Sequence, residues 1–470
     1  MSGLDIAGRY HFIGIGGAGM SVVAELLASR GARVSGSDRA DSPVLERLRG
    51  LGITVFAGHD PAHVPADAVV VVSTAIRESN PELAAARGRG QRVVHRSEAL
   101  ALAATGMRFV GVAGAHGKTT TSGMLAVALR SAGADPSVAV GGVVPQFGSG
   151  AHLGAGDVFV AEADESDGSF LNYSPLVEVV TNVEPDHLDR YGSREAFEAV
   201  FAEFASRLVP GGTLVVCAED PGAARLACRA RERGITTITY GRPGHCAQRP
   251  DAAIEDVDST ASGSTARVEW DGQEAVLRLA VAGEHNVLNA TAALLAGAAL
   301  GVGLPEMAAA LASFTGTARR FEERGRVGSR RLFDDYAHHP TEVAAALRQA
   351  RVVAGAGGVT VVFQPHLYSR TRIFAARFAE ALAAADHVVV TDVYAGARGP
   401  RAGRRLDADH VGPARLPLRA RHARGRPDRG GPGRRGGDPH HDGRRVHHLV
   451  RGRCPGVLEA GGGPVRPPAP

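Results

Sequence analysis

The strongest chemical signal in the sequence is a glycine-rich stretch that carries the only lysine of the chain. It reads Gly114-Ala-His-Gly117-Lys118-Thr119-Thr120 and lies between a predicted apolar strand and a predicted helix. Backbone N–H groups in such a loop cradle phosphates, a lysine offsets the charge of the β- and γ-phosphates, and the next hydroxyl binds Mg²⁺. The stretch is not a strict Walker A motif, because Val112 stands where that motif has its first glycine. We predict that these residues bind nucleotide phosphates: Gly114, Ala115, His116, Gly117, Lys118, Thr119 and Thr120.

The basic residues of the chain strengthen this prediction. Among 470 residues there are 52 arginines and one lysine, so arginine serves at every other long basic position. Arginine is a planar fork of donors, whereas lysine is a compact point charge on a flexible stem. A lysine that persists against this bias indicates a site that needs its ammonium group.

A second glycine loop lies near the start of the chain. Gly14, Gly16, Gly17 and Gly19 stand between a predicted strand and a predicted helix, and Asp38 ends the next predicted strand. Glycines here permit a tight turn and let backbone N–H groups approach a pyrophosphate at a helix N-terminus. Three interpretations are open: an NAD-dependent dehydrogenase with Asp38 on a ribose, another diphosphate ligand, or a turn kept for packing alone. The pattern indicates a diphosphate more directly than a nicotinamide.

Two acidic clusters follow predicted strands of the middle region. Glu162 opens the run Glu-Ala-Asp-Glu-Ser-Asp, and residues 181–189 read Thr-Asn-Val-Glu-Pro-Asp-His-Leu-Asp, with His187 inside. Because the carboxyl ends of parallel strands gather at one edge of a sheet, both clusters should face the phosphate loop. Carboxylate oxygens with one imidazole suit Mg²⁺ beside a nucleotide. Solvated acidic loops are the alternative interpretation.

A fourth group of polar residues lies further along the chain. Tyr336 and His338 follow one predicted strand, and His366 and Arg370 follow the next. Clustered His, Tyr and Arg side chains at strand ends suit an anionic small molecule and the charge that develops during a reaction. Hydrogen bonding within the core is the alternative interpretation.

Three successive α/β units are predicted to position these groups. Strand patterns alternate with Ala/Leu-rich helix patterns along the chain, as expected for mostly parallel sheets. We place helices at residues 21–30 and 119–132, close after the two glycine loops, and another at 373–385. The predicted units are a first domain at 1–107, a central domain at 108–314, an incomplete third domain at 315–397 and an irregular tail at 398–470.

The tail differs in composition from the rest of the chain. In residues 398–470, Arg, Gly and Pro fill 43 of 73 positions, with 17 arginines against 6 acidic residues and no apolar periodicity. The formal net charge of +4 therefore hides an acidic body. Three interpretations compete: a solvated disordered tail, a basic nucleic-acid arm, and a shift of the reading frame near residue 398. We favour the frame shift, because the strand and helix pattern halts in mid-domain, and we expect no tail residue to join the third sheet.

The composition also excludes several classes of protein. With 44% hydrophobic and 22% charged residues, the chain is not mainly disordered. The most apolar stretch, 292–312, contains Pro305 and Glu306, so we predict no membrane span. The N-terminus carries Asp5 and Arg9 without the order of a signal peptide. Four cysteines without a CxxC pair argue against a disulfide framework or a zinc ribbon. We expect a cytoplasmic protein that binds no nucleic acid.

Eight motifs, in order, resemble those of the Mur ligase family. They are GIGGAGM, GAHGKTTT, EADESDGSF, TNVEPDHLDRY, HNVLNA, RRFE, DDYAHHPTE and FQPHLYSRT, and the similarity extends from about residue 9 to residue 396. The family usually has threonine at Ala115, where the backbone N–H can still serve a phosphate. Within the family, the motifs look like the branch that acts on UDP-N-acetylmuramate and L-alanine.

The resemblance implies a fold and an activity. It implies a Rossmann-like domain for the UDP sugar, a P-loop ATPase-like central domain and a Rossmann-like third domain for the amino acid. It also implies an ATP-dependent ligase that joins L-alanine to the carboxylate of UDP-N-acetylmuramate through an acyl phosphate, with Mg²⁺ as cofactor. The first glycine loop would then hold the UDP diphosphate. Two alternatives stay open: a ligase that attaches a tripeptide to the same UDP sugar, and a chain that binds nucleotides but turns over poorly because of its altered C-terminus.

The resemblance further implies roles for individual residues. The implied catalytic residues are Lys118, His187, His338, His366 and Arg370. Residues implied to bind ATP beyond the phosphate loop are His285, Asn289 and Arg320. The UDP sugar would contact Gly14, Gly16, Gly17, Gly19 and Asp38. The amino acid would contact Tyr336, His366 and Arg370. The metal would be held by Thr119, Glu162 and His187.

Overall fold

Three β-sheets flanked by helices organise the chain. The computed structural model describes residues 4–394 and 445–451. The α/β class and the sequence of three units are confirmed. No helix in the part of the chain that the structure describes has both the length and the apolar content to cross a membrane.

The first sheet carries the first glycine loop. Its strands are β1 (Arg9–Ile13), β2 (Arg33–Asp38), β3 (Thr54–Ala57), β4 (Val69–Val72) and β5 (Val93–His95). Its helices are α1 (Ala18–Ser29), α2 (Pro43–Gly50), α3 (Pro81–Gly88) and α4 (Arg96–Ala103). The strand order is β3-β2-β1-β4-β5, and every pair is parallel. The central strand β1 therefore delivers its loop to the carboxyl edge of the sheet, where ligands bind in such folds.

Helix α1 begins earlier than predicted. It starts at Ala18, directly after Gly17, and not at residue 21. The first turn is therefore built from the glycine loop itself, so its free N–H groups point into the loop. The sequence analysis also missed α2 and α3, although Ser42 and Asn80 cap them and a proline follows each cap. Both helices have only eight residues, too few for a clear apolar period.

The second sheet has ten strands. They are β6 (Arg108–Ala113), β7 (Ser137–Val144), β8 (Ser149–His152), β9 (Val158–Glu162), β10 (Val177–Val180), β11 (Thr213–Cys217), β12 (Thr236–Gly241), β13 (Ala252–Thr260), β14 (Gly263–Trp270) and β15 (Gln273–Leu279). Its helices are α5 (Lys118–Ser131), α6 (Leu188–Tyr191), α7 (Arg194–Ala205), α8 (Pro221–Glu232), α9 (Glu284–Ala299) and α10 (Leu304–Leu311). The order is β15-β14-β13-β12-β11-β10-β6-β9-β7-β8. Strand β6 is parallel to both its neighbours β10 and β9, so the phosphate loop and both acidic clusters leave the same edge, as predicted.

Packing on the two faces of this sheet is mainly apolar, but it includes a buried carboxyl group. Leu125 and Leu294 are fully buried on one face, and Phe201 and Phe204 are fully buried on the other. Glu178, in the middle of β10, is also fully buried, and neither of its carboxylate oxygens has a hydrogen-bond partner among the described residues. Burial raises the pKa of Glu178 well above its ordinary value, so this side chain is held in its neutral form.

The third sheet corrects one expectation. Its strands are β16 (Glu322–Val327), β17 (Arg330–Asp335), β18 (Gly358–Gln364), β19 (His387–Val390) and β20 (Arg445–Arg451), and its helices are α11 (Pro340–Ala354) and α12 (Tyr368–Leu382). In the order β16-β17-β20-β18-β19, β20 is antiparallel to both β17 and β18, whereas β18 and β19 are parallel. The expectation that no tail residue joins the sheet is therefore wrong for β20.

The reason for the error is local. β20 reads Arg-Val-His-His-Leu-Val-Arg, a short β-prone run hidden by the average composition of the tail. Without it, the facing edges of β17 and β18 would lack partners for their backbone groups. The remaining predictions for residues 398–470 fall outside the described residues.

Candidate active site

The first glycine loop is shaped by hydrogen bonds from the neighbouring strand. Gly14 adopts φ 80°, and its N–H donates to Ser37 O at 2.8 Å. The N–H of Gly16 donates to Asp38 Oδ2 at 2.9 Å. A Cβ at Gly16 would lie 2.9 Å from that same oxygen, so a larger residue would displace the carboxylate that holds the loop. Asp38 thus holds the loop by a hydrogen bond in this structure, and Gly17 and Ala18, at the N-terminus of α1, are exposed.

The phosphate loop joins β6 to α5 through two glycines in left-handed conformations. Gly114 has φ 130° and Gly117 has φ 81°. A Cβ at Gly114 would lie 2.2 Å from Thr181 Oγ1, so a larger residue would displace the strand end behind it. Asn182 Oδ1 accepts the N–H of His116 at 3.1 Å, and Asn182 Nδ2 donates to His116 O at 3.0 Å. The sequence analysis did not predict that Thr181 and Asn182 contact the phosphate loop, because Thr and Asn at a strand end carry no distinctive spacing.

Lys118 is placed among carboxylates. Its ammonium donates to Gly114 O at 2.5 Å and to Glu165 Oε1 at 3.0 Å. Burial works against this charge, but Glu165, Glu162 and Asp164 outweigh burial, so the pKa of Lys118 is raised. Burial raises the pKa of Glu165 to about 7, although Lys118 acts in the opposite direction. The ammonium of Lys118 is thus charged, and its partner Glu165 is a carboxyl group that can accept a proton near neutral pH.

The predicted metal ligands supply the donors that Mg²⁺ prefers. Thr119 Oγ1 lies 3.1 Å and 3.2 Å from the two carboxylate oxygens of Glu162, beside the phosphate loop. The N–H of Gly141 donates to Glu162 Oε2 at 2.8 Å and orients the carboxylate. A hydroxyl next to a carboxylate is a hard-oxygen donor set, which fits Mg²⁺ bound to a nucleotide phosphate.

His187 lies on the loop that follows β10. It adopts φ 53°, and its N–H donates to the Oδ1 atom of Asp186 at 2.8 Å. Burial lowers the pKa of His187, although Asp186 acts in the opposite direction. A neutral imidazole is the form that can bind a metal ion.

A cavity of about 480 Å³ brings the three domains together. It is lined by the first glycine loop, the phosphate loop, both acidic clusters and side chains of the third domain. The predicted site residues on its wall are Gly17, Gly19, Ala115, His116, Gly117, Lys118, Glu162, His187, Arg320, Tyr336 and His338. Residues from six of the eight sequence motifs therefore line one cavity.

A second cavity, of about 850 Å³, adjoins the phosphate loop between the central and third domains. The predicted residues on its wall are His116, Gly117, Thr120, His285, Asn289 and Arg320. Burial, and then Arg348 nearby, lower the pKa of His285 to about 4, so its ring is neutral. Cys217 and Tyr240 also line this cavity.

Two predicted residues of the third domain contact protein groups in this structure. Arg370 lies in the first turn of α12, which begins at Tyr368 and not at residue 373 as predicted. Its guanidinium bonds both carboxylate oxygens of Asp186, at 3.0 Å and 2.8 Å, and both side chains are buried. The pKa of Asp186 lies well below its usual range, because His187 and Arg370 outweigh the effect of burial. The ring of His366 stacks on that of Tyr394 at 5.7 Å, behind the cavity wall.

The structure also adds residues that the sequence did not single out. Arg96 donates to Asp164 Oδ2 at 2.6 Å and lines the smaller cavity, so it ties the first domain to the central one. A Cβ at Gly19 would lie 2.8 Å from Arg96 Nη1, so the guanidinium rests directly on the first glycine loop. Nothing in the sequence distinguishes this arginine from the others.

Comparison with known proteins identifies the family of the chain. Three family models match successive parts of the chain: the Mur ligase family, catalytic domain at 9–108, the Mur ligase middle domain at 112–297, and the Mur ligase, glutamate ligase domain at 319–416. A UDP-N-acetylmuramate–L-alanine ligase of Kineococcus radiotolerans is 56% identical over 403 residues, which cover 85% of this chain and 84% of that protein. The chain belongs to the Mur ligase family.

Further relatives in the family include proteins of known structure. A UDP-N-acetylmuramate–L-alanine ligase of Paenarthrobacter aurescens is 50% identical over 420 residues, 88% of this chain and 90% of that protein. The crystal structure of a UDP-N-acetylmuramate–alanine ligase from Thermotoga maritima superposes with a TM-score of 0.70 at 32% identity, covering 82% of this chain and 85% of that one. A murein peptide ligase from Psychrobacter arcticus gives a TM-score of 0.66 at 27% identity, with 81% and 84% covered.

Proposed function

We propose that this chain is an ATP-dependent ligase that joins L-alanine to the lactyl carboxylate of UDP-N-acetylmuramate in peptidoglycan precursor synthesis. The observation that carries the proposal is the cavity in which Lys118, paired with Glu165, faces the first glycine loop and the third domain. An enzyme that only hydrolyses ATP would not need a cavity lined by residues of all three domains. The relatives at 50–56% identity bear the name of this ligase.

The larger cavity would take the nucleoside part of ATP, with its phosphates on the loop. Backbone N–H groups of the loop and the N-terminus of α5 face the phosphates, where partial positive charge gathers. Lys118 would leave Glu165 to neutralise the transferred phosphoryl group. Thr119 and Glu162, with His187, would hold Mg²⁺, which supplies further positive charge against the phosphate oxygens.

The first step forms an acyl phosphate. An oxygen of the lactyl carboxylate attacks the γ-phosphorus, and the bond between that phosphorus and the β,γ-bridging oxygen breaks, releasing ADP. In the second step the alanine amine attacks the activated carbonyl carbon, and phosphate leaves with the former carboxylate oxygen while the amine loses a proton. Holding three substrates in one cavity contributes orientation worth up to about 7–11 kcal/mol in favourable cases.

The third domain would provide the amino-acid side of the site. Tyr336 and His338 line the same cavity as Lys118. Arg370 and His366 stand behind this wall, with Arg370 on Asp186. We assign the alanine to this side, with Tyr336 and His338 nearest to it. The UDP sugar would occupy the first glycine loop, and because it and ATP are cytoplasmic metabolites, we place the reaction in the cytoplasm.

A ligation assay with the full chain tests the proposal. Phosphate release is measured with ATP and Mg²⁺, with each amino acid in turn and with a tripeptide, in the presence and absence of UDP-N-acetylmuramate. We expect release only when the UDP sugar and L-alanine are both present. Release with the tripeptide in place of L-alanine would indicate the recycling ligase, which the likeness to the murein peptide ligase keeps as the second candidate.

Calorimetry tests the first domain independently. We expect a UDP sugar to bind at the first glycine loop and NADH not to bind, because ATP chemistry elsewhere in the chain leaves no task for a nicotinamide. Binding of NADH without binding of a UDP sugar would indicate a dehydrogenase. Binding of both ATP and UDP sugar without phosphate release would indicate a chain that has kept its sites and lost its turnover.

A further inference from the structure

Two histidines and a glutamate from three segments meet beside the phosphate loop. They are His116 of that loop, Glu184 after β10 and His339 at the start of α11, and one ligand atom of each lies within 4.8 Å of the others. His116 Nε2 lies 2.8 Å from Glu184 Oε2, and His339 Nδ1 lies 3.8 Å from the same oxygen. The two imidazole rings are 4.6 Å apart. The three segments therefore present nitrogen, nitrogen and oxygen to one point.

Each imidazole of the cluster has one ring nitrogen without a hydrogen-bond partner among the described residues. The side chain of His339 is only 1% exposed, yet its Nε2 atom has no hydrogen-bond partner among the described residues. The Nδ1 atom of His116 is likewise buried without a hydrogen-bond partner in that part of the chain. Buried imidazole nitrogens usually find a partner, so each ring has one further nitrogen available beside the nitrogen that faces Glu184.

The donor set selects the kind of ligand. Two imidazoles and one carboxylate are the three protein ligands of many open zinc sites, in which a water takes the fourth position. A tetrahedral zinc ion with bonds of about 2.0–2.1 Å separates its ligand atoms by about 3.3 Å. The observed separations from Glu184 Oε2, 2.8 Å and 3.8 Å, lie on either side of that value. Mg²⁺ prefers oxygen ligands and would stay at Thr119 and Glu162.

We propose that His116, Glu184 and His339 form a binding site for a divalent transition-metal ion, with Zn²⁺ as the ion that fits best. The Oε1 atom of Glu342 lies 3.9 Å from His116 Nδ1, where a carboxylate can orient a metal-bound imidazole. Because His116 belongs to the loop for ATP phosphates and His339 lies at the start of α11, the bound ion ties the central domain to the third. In the bound state His339 Nδ1 holds the ion in place of the N–H of Thr341, which lies 3.4 Å from it.

The site is tested by binding, which does not depend on the ligase activity. The full chain is stripped of metal, supplied with excess Mg²⁺ and titrated with Zn²⁺ against a chromophoric chelator. We expect one Zn²⁺ per chain that Mg²⁺ does not displace. With Co²⁺ as the probe, we expect the absorption bands of a tetrahedral ion with nitrogen and oxygen ligands.

Variants locate the ion. His339→Asn removes a ligand but keeps a side chain that caps α11, since Asn is a preferred N-cap residue. We expect Zn²⁺ affinity to fall by about 100-fold or more, because even outer ligands of metal sites contribute 10–100-fold. Glu184→Gln is the second variant and should have the same effect if His339→Asn fails to fold. His63→Gln is the matched control, because His63 also lies beside a buried carboxylate, 3.3 Å from Glu82.

Three results would overturn the assignment. The first is the absence of Zn²⁺ binding in excess Mg²⁺. The second is an affinity that His339→Asn and Glu184→Gln leave unchanged, or that His63→Gln lowers equally. The third is a thiolate-to-cobalt charge-transfer band, which would place the ion at a cysteine such as the exposed Cys228.

Discussion

Lys118→Ala is the substitution that most sharply separates catalysis from folding in this chain. Its ammonium lies at the phosphate loop, 2.5 Å from Gly114 O. A single cation that stabilises a transferring phosphoryl group is worth roughly 10³–10⁵ in kcat, which corresponds to about 4–7 kcal/mol of transition-state stabilisation. We therefore expect ligation to fall by at least three orders of magnitude. Lys118→Arg should fail nearly as badly, because a planar fork does not replace a point charge.

The effect of the same substitution on folding should be small. Breaking a buried ion pair costs about 3–5 kcal/mol when the remaining charge stays buried. Here the remaining group is Glu165, whose pKa burial already raises to about 7, so it takes up a proton when Lys118 is removed. We expect the free energy of unfolding near pH 7 to fall by about 1–2 kcal/mol only, well short of that range. The double variant Lys118→Ala/Glu165→Gln should recover this loss without recovering activity.

Three measurements decide the outcome. Phosphate release reports the catalytic loss, denaturant unfolding reports stability, and calorimetry with a UDP sugar reports the first domain. We expect UDP-sugar affinity to persist in Lys118→Ala. The reasoning is refuted if the folded Lys118→Ala chain keeps phosphate release within tenfold of the parent, or if it loses UDP-sugar binding and keeps ATP turnover.

Three further substitutions probe the loop, the core and the domain contact. Gly117→Ala places a Cβ 2.7 Å from Asn289 Oδ1, whereas Gly133 has a similar φ of 83° and open space around it. ATP affinity should therefore fall at least about tenfold in Gly117→Ala and stay unchanged in the control Gly133→Ala. Equal losses of affinity in calorimetry would contradict this. Glu178→Leu should raise the free energy of unfolding by about 1–3 kcal/mol, because it removes an unpaired buried carboxyl group. The pKa of Glu178 in the folded state lies above its ordinary 4.5, so the stability of the parent chain falls as pH rises above 4.5. The stability gained by Glu178→Leu should therefore be larger at neutral pH than near pH 4.5. A gain independent of pH would contradict a neutral, buried Glu178. Asp186→Asn leaves the buried guanidinium of Arg370 without its carboxylate, so amide hydrogen exchange in α12 should accelerate; unchanged exchange would show that the pair does not hold the domains together.

The sequence predicts the parts of the fold that follow from strong periodicity and from glycine. The strands before both glycine loops and the gathering of the acidic clusters at one sheet edge follow from alternating apolar runs and parallel topology. The eight-residue helices α2 and α3 escape such an analysis because their apolar period is too short. β20 escapes because the average composition of the tail hides its short β-prone run, and only the fold shows the edges of β17 and β18 with which it pairs.

The site is predictable where chemistry depends on a rare residue or on spacing. Lys118 stands out by composition, and Thr119 and Glu162 by their positions after strands. Arg370 is different: its identity suggests a carboxylate ligand, but only the fold shows that the carboxylate in reach belongs to Asp186. Arg96 can be found only in three dimensions, because its partners lie in another domain.

Oxygen transfer is the measurement that tests the proposed chemistry most directly. UDP-N-acetylmuramate carrying ¹⁸O in its lactyl carboxylate is incubated with the full chain, ATP, Mg²⁺ and L-alanine, and both products are analysed by mass spectrometry. If the cavity around Lys118 activates the carboxylate by phosphorylation, each new amide bond yields one inorganic phosphate that carries one ¹⁸O atom. Amide formation with unlabelled phosphate, or labelled substrate left intact while ATP is hydrolysed, would contradict the account.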